Sequence, residues 1–265
     1  MQPLLNIAIN AARQAGDIIV RHLDQVDRLK PTQKGLNDYF CEVDVKAEQA
    51  IISTIHKAYP HHGILAEESG LHNPDSDTVW IIDPLDGTTN YLHGFPFYAV
   101  SIAVKVKDRV EHAVILDPLR HECFMASRGR GARLNDRRIR VSQQTQLSAA
   151  LLGTGFSFHD AIRANRYKQT FDALFGKCAT VRRTGSAALD LAYVASGRLD
   201  GLWEFGLKPW DIAAGALIVQ ESGGMVCDMN GGEDFLTQGD IVAATPKVFK
   251  PLVQILIPAA KNTGS

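Results

Sequence analysis

Cysteine is scarce and unpatterned in this chain. Its four cysteines, Cys41, Cys123, Cys178 and Cys227, show no C-x-x-C spacing, which argues against a zinc site or a disulfide framework and suits a reducing cytoplasm. Long apolar runs are missing as well. The N-terminal stretch is broken by Asn6, Asn10, Arg13 and Gln14, and no run reaches the roughly 20 residues of a membrane span, so neither a membrane segment nor a targeting segment is expected. Charge is balanced. With 28 Lys and Arg against 29 Asp and Glu the formal charge is -1, and no overall field marks the chain for nucleic acid or a membrane surface. No repeat, low-complexity tract or obvious linker divides the 265 residues, which suffice for one large domain or two lobes.

What is present is a set of acids at the ends of apolar runs. Trp80, Ile81 and Ile82 read as a buried strand, and Asp83 stands where that strand leaves the core. Pro84 is expected to stop a central strand, so that Asp83 and Asp86 face a common point across a tight turn. Gly87, Thr88, Thr89 and Asn90 then suit a helix start, where free N–H groups can hold a phosphate. Two carboxylates beside an anion site suit Mg²⁺ bridging a phosphate ester, because Mg²⁺ takes oxygen ligands. Two rival readings exist. One is an Asx-turn followed by a helix cap, which uses both aspartates structurally. The other is the aspartyl-phosphate motif D-x-D-G-T, which matches only in part because the aspartates here lie three apart.

Elsewhere, apolar spacing predicts an amphipathic helix over Pro3 to Val26, a mobile loop over Arg28 to Asp38 carrying Lys34, and a second helix over Val45 to Tyr59. Asp44 is either the N-cap of that helix or a catalytic group. A strand over Gly63 to Ala66 ends in Glu67-Glu68, adjacent acids of which one faces a site and the other faces away. His61 and His62 read as a solvated turn. Leu71 to Thr78 reads as a surface loop. Runs at Ala99 to Val106 and Val110 to Leu116 form a hairpin, and Cys123 to Ala126 with Ile139 to Val141 extend an antiparallel sheet. Arg128, Arg130, Arg133, Arg137, Arg138 and Arg140 raise nucleic acid as a reading, but no aromatic residue is interleaved for stacking, and a solvated hairpin is preferred. The second half shows an alanine-rich helix over Gly185 to Ser196, a strand over Leu199 to Phe205 carrying Glu204, and an apolar helix opened by Asp211, either its cap or a metal ligand. Late strands at Val226 and Ile241 to Ala244, and a helix over Pro246 to Ile257, complete it.

Taken together, these residues resemble the Mg²⁺-dependent inositol monophosphatases over nearly the whole chain, most closely a bacterial branch of that family. The carriers are D-P-L-D-G-T-T-N at Asp83 to Asn90 behind Glu67-Glu68, W-D-I-A-A-G-A at Trp210 to Ala216 trailed by E-S-G-G at Glu221 to Gly224, and T-G-S-A-A at Thr184 to Ala188. The Lys34, Asp38, Asp44 loop also matches, although Cys41 stands where the family usually has threonine.

The resemblance implies an α/β fold, a layered αβαβα sandwich of the inositol monophosphatase and fructose bisphosphatase type, as a single unit over 1–265 with lobes near 1–145 and 146–265. It implies Glu67, Asp83 and the Leu85 carbonyl as ligands of one Mg²⁺, and Asp83, Asp86 and Asp211 as ligands of a second. Gly87 and Thr88 would bind phosphate through their N–H groups, while Asp44, Glu67 and Thr88 would carry catalysis by orienting the attacking water. Asp86, Ser186, Ala187, Glu204 and Asp211 would contact the substrate. The implied reaction is hydrolysis of inositol 1-phosphate by direct attack of metal-activated water, in a lithium-sensitive cytoplasmic homodimer. Nucleotidase and fructose bisphosphatase branches differ after D-G-T, and Thr89-Asn90 favours inositol phosphate. The bacterial branch also implies transcription antitermination proteins as partners in ribosomal RNA synthesis.

Overall fold

The computed structural model describes residues 2–28, 32–35, 38–156 and 161–261; the side chains of Lys34 and Asp38 lie outside the described set. Helix α1 (Pro3–Arg21) opens on Pro3, whose missing N–H costs nothing at the first helical position, and hands over to a 3₁₀ segment at Leu23–Arg28 instead of continuing to Val26. Strands β1 (Thr32–Gly35) and β2 (Asp38–Phe40) pair antiparallel where the sequence suggests a loop. Helix α2 (Glu42–Ala58) begins ahead of Val45, so Asp44 sits in its first turn and not at the cap.

A mixed sheet follows. It comprises β3 (Gly63–Ala66), β4 (Gly70–His72), β5 (Thr78–Asp86), then helix α3 (Thr88–Leu92), β6 (Ala99–Val106), β7 (Arg109–Asp117), β8 (Glu122–Ser127), β9 (Ala132–Leu134) and β10 (Arg137–Arg138). The strand order is β10-β9-β8-β7-β6-β5-β3-β4, with β3 and β5 parallel and the other pairs antiparallel. Pro84 does not end the strand. β5 runs through it as a central strand, and the pairing steps from Asp83↔Ser101 to Asp86↔Ala99, so one extra residue bulges out on β5. A bulge tolerates a proline because its extra residue has no ladder bond to lose. The arginine-rich segment does form a hairpin, β9 with β10, but Ile139 to Val141 is not a strand; Val141 N–H bonds Ser222 O instead.

The second half places β11 (Leu151–Gly155), α4 (Ala161–Leu174), β12 (Thr180–Arg182), α5 (Ala187–Ala195), β13 (Gly201–Glu204), α6 (Pro209–Glu221), β14 (Met225–Cys227), α7 (Phe235–Gln238), β15 (Ile241–Ala244) and α8 (Pro246–Lys261) in chain order. A five-stranded sheet forms in the order β12-β11-β13-β15-β14. Strand alternation then dictates the layers. Trp80 and Ile82 face α1 and α2, while Ile81 faces α5 and α6. Leu202 and Ala243 of the smaller sheet also face α5 and α6, and Trp203 and Val242 face α8. The result is the expected αβαβα sandwich. α6 is buried all round from Ile212 to Val219 because a sheet lies on either side of its layer. Gly215 lets the middle helices touch; a Cβ there would come within 2.5 Å of Leu191. No helix among the described residues is long and apolar enough to cross a membrane.

His62 departs from the solvated-turn reading. Trp80 Nε1 donates to His62 Nδ1 at 3.1 Å, and the imidazole stacks on Tyr59 with ring centroids 4.5 Å apart. Burial pushes the His62 pKa down, and only an unprotonated Nδ1 can accept from Trp80. A histidine whose folded pKa lies below its unfolded value of about 6.5 stabilises fully above that value and loses the contribution as pH falls through it. The urea midpoint should therefore drop between pH 8 and pH 5.5, and drop less in His62→Asn, whose amide oxygen can still accept from Trp80. Equal drops in the two proteins would remove His62 as the cause.

Candidate active site

Strand pairing brings Glu67, Asp83 and Asp86 together, and helix starts add Asp44 and Asp211. Glu67 follows β3, and its N–H bonds Ile82 O at 3.1 Å, which sets it beside Asp83 on the parallel neighbour β5. Of the adjacent acids, Glu67 is the one whose charge acts on both Asp83 and Asp211. The turn at Glu68 is held by Glu48, whose carboxylate accepts the N–H groups of Glu68 and Ser69 at 2.9 Å each. Asp83 is 2% exposed and accepts the Leu85 N–H at 2.9 Å. Asp86, on the far side of the bulge, accepts the Ser186 hydroxyl at 2.6 Å and the Ala188 N–H at 2.7 Å. Asp211, in the first turn of α6, accepts the Lys208 N–H at 2.7 Å. Its helix is tied to the larger sheet by Ser101, which pairs with Asp83 across β5 and β6 and donates to Trp210 O at 3.0 Å. Ser101 is not legible as a site residue in the sequence, because an isolated serine in an apolar strand carries no motif.

Asp44 lies in the first turn of α2, and its two oxygens have different partners. As the third residue of α2 it accepts the Cys41 N–H at 2.9 Å and the Cys41 thiol at 2.8 Å, which caps the helix start from within. Its other oxygen accepts the Thr88 hydroxyl at 2.9 Å. That hydroxyl also lies 3.0 Å from Leu85 O. Cys41 thus supplies an S–H to this carboxylate, and burial pushes its thiol up to about 12. Gly87 opens α3 at φ +97, and a Cβ there would approach Phe97 O at 3.0 Å, so only glycine fits this helix start. The first N–H groups of α3 have no acceptor in the helix's own ladder.

A cavity of about 160 Å³ adjoins the acids, lined by Asp86, Ser186, Ala187, Glu204 and Asp211 together with Arg183. Glu204 enters it past Gly155, where a Cβ would collide with its carboxylate. Five of the residues expected to contact substrate, Asp86, Ser186, Ala187, Glu204 and Asp211, therefore line one cavity.

Like charges dominate the site. Burial raises the Asp83 pKa well above its ordinary value, and Glu67, Asp86 and Asp211 raise it further. Asp211 is raised by burial and then by Asp86, with an offsetting hydrogen bond from Asp83. Burial pushes Asp86 up to about 6 against the pull of Ser186 and Ala188. Glu204 is raised by burial, Asp190, Asp86 and Asp211, with Arg183 opposing. Among the described residues, no group of three or more His, Cys, Asp and Glu side chains stands as a ready-made metal cage. The fit to a divalent cation rests on charge and donor type. An all-oxygen set of mutually repelling carboxylates is what Mg²⁺ relieves, whereas the Cys41 thiol is turned to Asp44 and stays protonated.

Repulsion of this kind makes a site costly to fold without its cation. Asp83→Asn keeps the acceptor for Leu85 N–H and removes the cost of burying an acid among other acids, so the metal-free variant should melt a few degrees above metal-free wild type, at about 2–4 °C per kcal/mol for a chain of this size. Added Mg²⁺ should raise the wild-type melting temperature and leave the variant unmoved. A metal-free variant that melts below wild type would show that the acids do not repel one another as described.

Comparison with known proteins agrees with this fold. The model of the Inositol monophosphatase family matches residues 1–261. The chain is 54% identical over 263 residues to Nus factor SuhB of Pseudomonas aeruginosa, covering 97% of each protein. It is 51% identical over 254 residues to Nus factor SuhB of Escherichia coli K12, covering 96% of this chain and 95% of that one. Among solved structures, the extragenic suppressor protein suhB from Bartonella henselae superposes with a TM-score of 0.93 at 41% identity over 99% of this chain and 100% of that chain. The inositol monophosphatase from Anabaena sp. PCC 7120 superposes with a TM-score of 0.85 at 38% identity over 96% and 95%. With its signature acids gathered at one bulged strand, this chain belongs to the inositol monophosphatase family.

Proposed function

We propose that this phosphatase hydrolyses inositol 1-phosphate to inositol and phosphate with Mg²⁺ as its cation, and that it also serves in ribosomal RNA transcription antitermination. The observation that carries the first part is the cluster of Glu67, Asp83, Asp86 and Asp211, each of whose charges acts on another of the set, placed beside the glycine-opened start of α3. Glu67, Asp83 and the Leu85 carbonyl would hold one Mg²⁺, and Asp83, Asp86 and Asp211 a second. When bound, such ions screen the phosphate's negative charge and make water a stronger nucleophile at neutral pH.

The chain's own residues supply the rest. Gly87 and Thr88 offer N–H groups to the phosphate oxygens. Thr88 has its hydroxyl proton directed at Asp44 and Leu85 O, so its oxygen lone pairs are left to accept from the attacking water and fix its orientation. Asp44, with its pKa raised by burial, can take up a proton relayed through Thr88. Glu67 would join Thr88 in orienting that water. Asp83 and Asp86 each have a carboxylate oxygen held by hydrogen bonds, which disfavours either as a nucleophile and favours direct attack by water. Glu204, with Ser186 and Ala187, lies across the cavity where ring hydroxyls would be read.

Asp83→Asn should lower Mg²⁺-dependent hydrolysis by about 10³-fold or more, the scale of losing a principal electrostatic group, and a single turnover in heavy-oxygen water should label phosphate only. Label in an enzyme carboxylate would establish the aspartyl-phosphate route instead. Glu204→Ala should cost more on inositol 1-phosphate than on glycerol 2-phosphate, which has no ring hydroxyls to read; equal losses would take Glu204 out of substrate recognition. Lithium at millimolar-scale concentration should inhibit.

The second role is supported by relatives named Nus factor that are 54% and 51% identical over nearly the full length. The chain would act there as a homodimer through its surface, with the exposed Arg182 and neighbouring Arg183 among the contacts. Folded, dimeric Asp83→Asn protein should support antitermination in cells that lack the wild-type chain. Its failure would tie transcription to catalysis.

A further inference from the structure

The first motif and the second half of the chain meet at one turn, and the residues that hold this turn have no role in the reaction described above. Asn90 Nδ2 donates to Phe97 O at 2.7 Å and to Thr184 O at 2.9 Å. The Thr184 hydroxyl donates to Asp190 Oδ2 at 2.7 Å. Gly185 follows at φ +92, packed so closely that a Cβ would lie 3.0 Å from the Asn90 amide nitrogen. A Cβ on Gly87 would lie 3.2 Å from Gly185 O. Ser186 comes next. Its hydroxyl donates to Asp86 Oδ2, and its oxygen accepts the Leu189 N–H at 3.3 Å, which leaves the proton one direction to point. Ala188 N–H lands on the same carboxylate oxygen.

Asp190 is 1% exposed, and its Oδ1 has no hydrogen-bond partner among the described residues. A buried carboxyl satisfied on one side only is a poor stabilising element, so its retention is best explained by what the Thr184 bond does for the turn. Loss of either strut would let residues 184–186 shift, and Asp86 would lose two donors at once.

We propose that Asn90 and Asp190 are positioning residues. They clamp the Thr184–Ser186 turn so that one oxygen of Asp86 is pinned by Ser186 and Ala188, and only the other is offered to the cation. The clamp sets how tightly the cation is held and leaves the chemical step alone, an outer hydrogen-bond role of the kind that alters metal affinity by 10–100-fold. The proposal rests on the reading of Asp86 as a cation ligand.

The test titrates Mg²⁺ against two readouts, hydrolysis of inositol 1-phosphate and the Mg²⁺-induced rise in melting temperature. In Asn90→Ala, Thr184→Val and Asp190→Ala, the Mg²⁺ concentration at half effect should rise about tenfold in both readouts, with kcat at saturating Mg²⁺ within about threefold of wild type. Asp190→Asn keeps an acceptor for Thr184 and should restore the wild-type requirement. Thr184→Val removes a single hydroxyl with little change of shape, so it decides the matter should Asn90→Ala fail to fold. A wild-type Mg²⁺ requirement in Thr184→Val overturns the clamp, as does an Asp190→Asn protein no better than Asp190→Ala. Asp86→Asn is the control: a wild-type requirement there would overturn the ligand reading itself, and the clamp with it.

Discussion

One extra residue in strand β5 is the constraint on which the site depends. In a regular strand, residues three apart point to opposite faces. Asp83 and Asp86 are three apart, and without correction one would enter the core. The bulge between them adds the missing step, returning both to one side, and Pro84 sits where the loss of an N–H is harmless. The spacing that weakens the match to D-x-D-G-T is therefore what the bulged strand requires. Asp83 also stands at the point where Glu67 arrives from β3 on one side and Ser101 from β6 on the other. A single local irregularity thus fixes two acids directly and places a third through strand pairing.

Gathering acids in this way works against stability, and the surrounding layers offset it. The acids lie between two apolar clusters, one joining α1 and α2 to the larger sheet and one joining both sheets to α5 and α6. Close packing in the middle layer depends on small residues, as Gly215 against Leu191 shows. The same closeness brings the start of α6 within reach of β6, so that Ser101 can hold Trp210 and present Asp211 to the other acids. Hydrophobic layering supplies the stability, and the carboxylates occupy the seam where that layering leaves room.

The legible part of the fold was the part governed by short-range pattern. Apolar strands at Ala99 to Val106 and Ile241 to Ala244, and the apolar helix behind Asp211, sit where the sequence places them. The motif acids were legible because charge at the end of a buried strand has few structural uses. Three kinds of feature were not. In the β1–β2 ribbon one strand is polar and ends in Gly35 and the other is three residues long, too short for an alternating pattern to show. α4 carries no legible helical period because only Thr170 and Leu174 of it are buried. Pro84 misled because its usual meaning assumes a regular ladder, which the bulge suspends. Glu48 and Ser101 are buried polar residues whose partners lie far off in sequence, and no spacing rule reaches them.

Asp44 shows why function and fold are hard to separate here. Its two oxygens divide between a helix start and the neighbouring motif, one facing Cys41 and the other Thr88. Asp86 repeats the arrangement with Ser186 and Ala188. In both cases one oxygen is fixed by donors from a helix start, which orients the carboxyl without neutralising it. A carboxylate held by two donors loses rotational freedom before any ligand arrives, so less order remains to be imposed on binding. Helix starts suit this task because their first N–H groups are unpaired by geometry. The site is therefore assembled from the unsatisfied ends of α2, α3, α5 and α6, and the layer architecture that brings these four ends to one seam makes the chemistry possible.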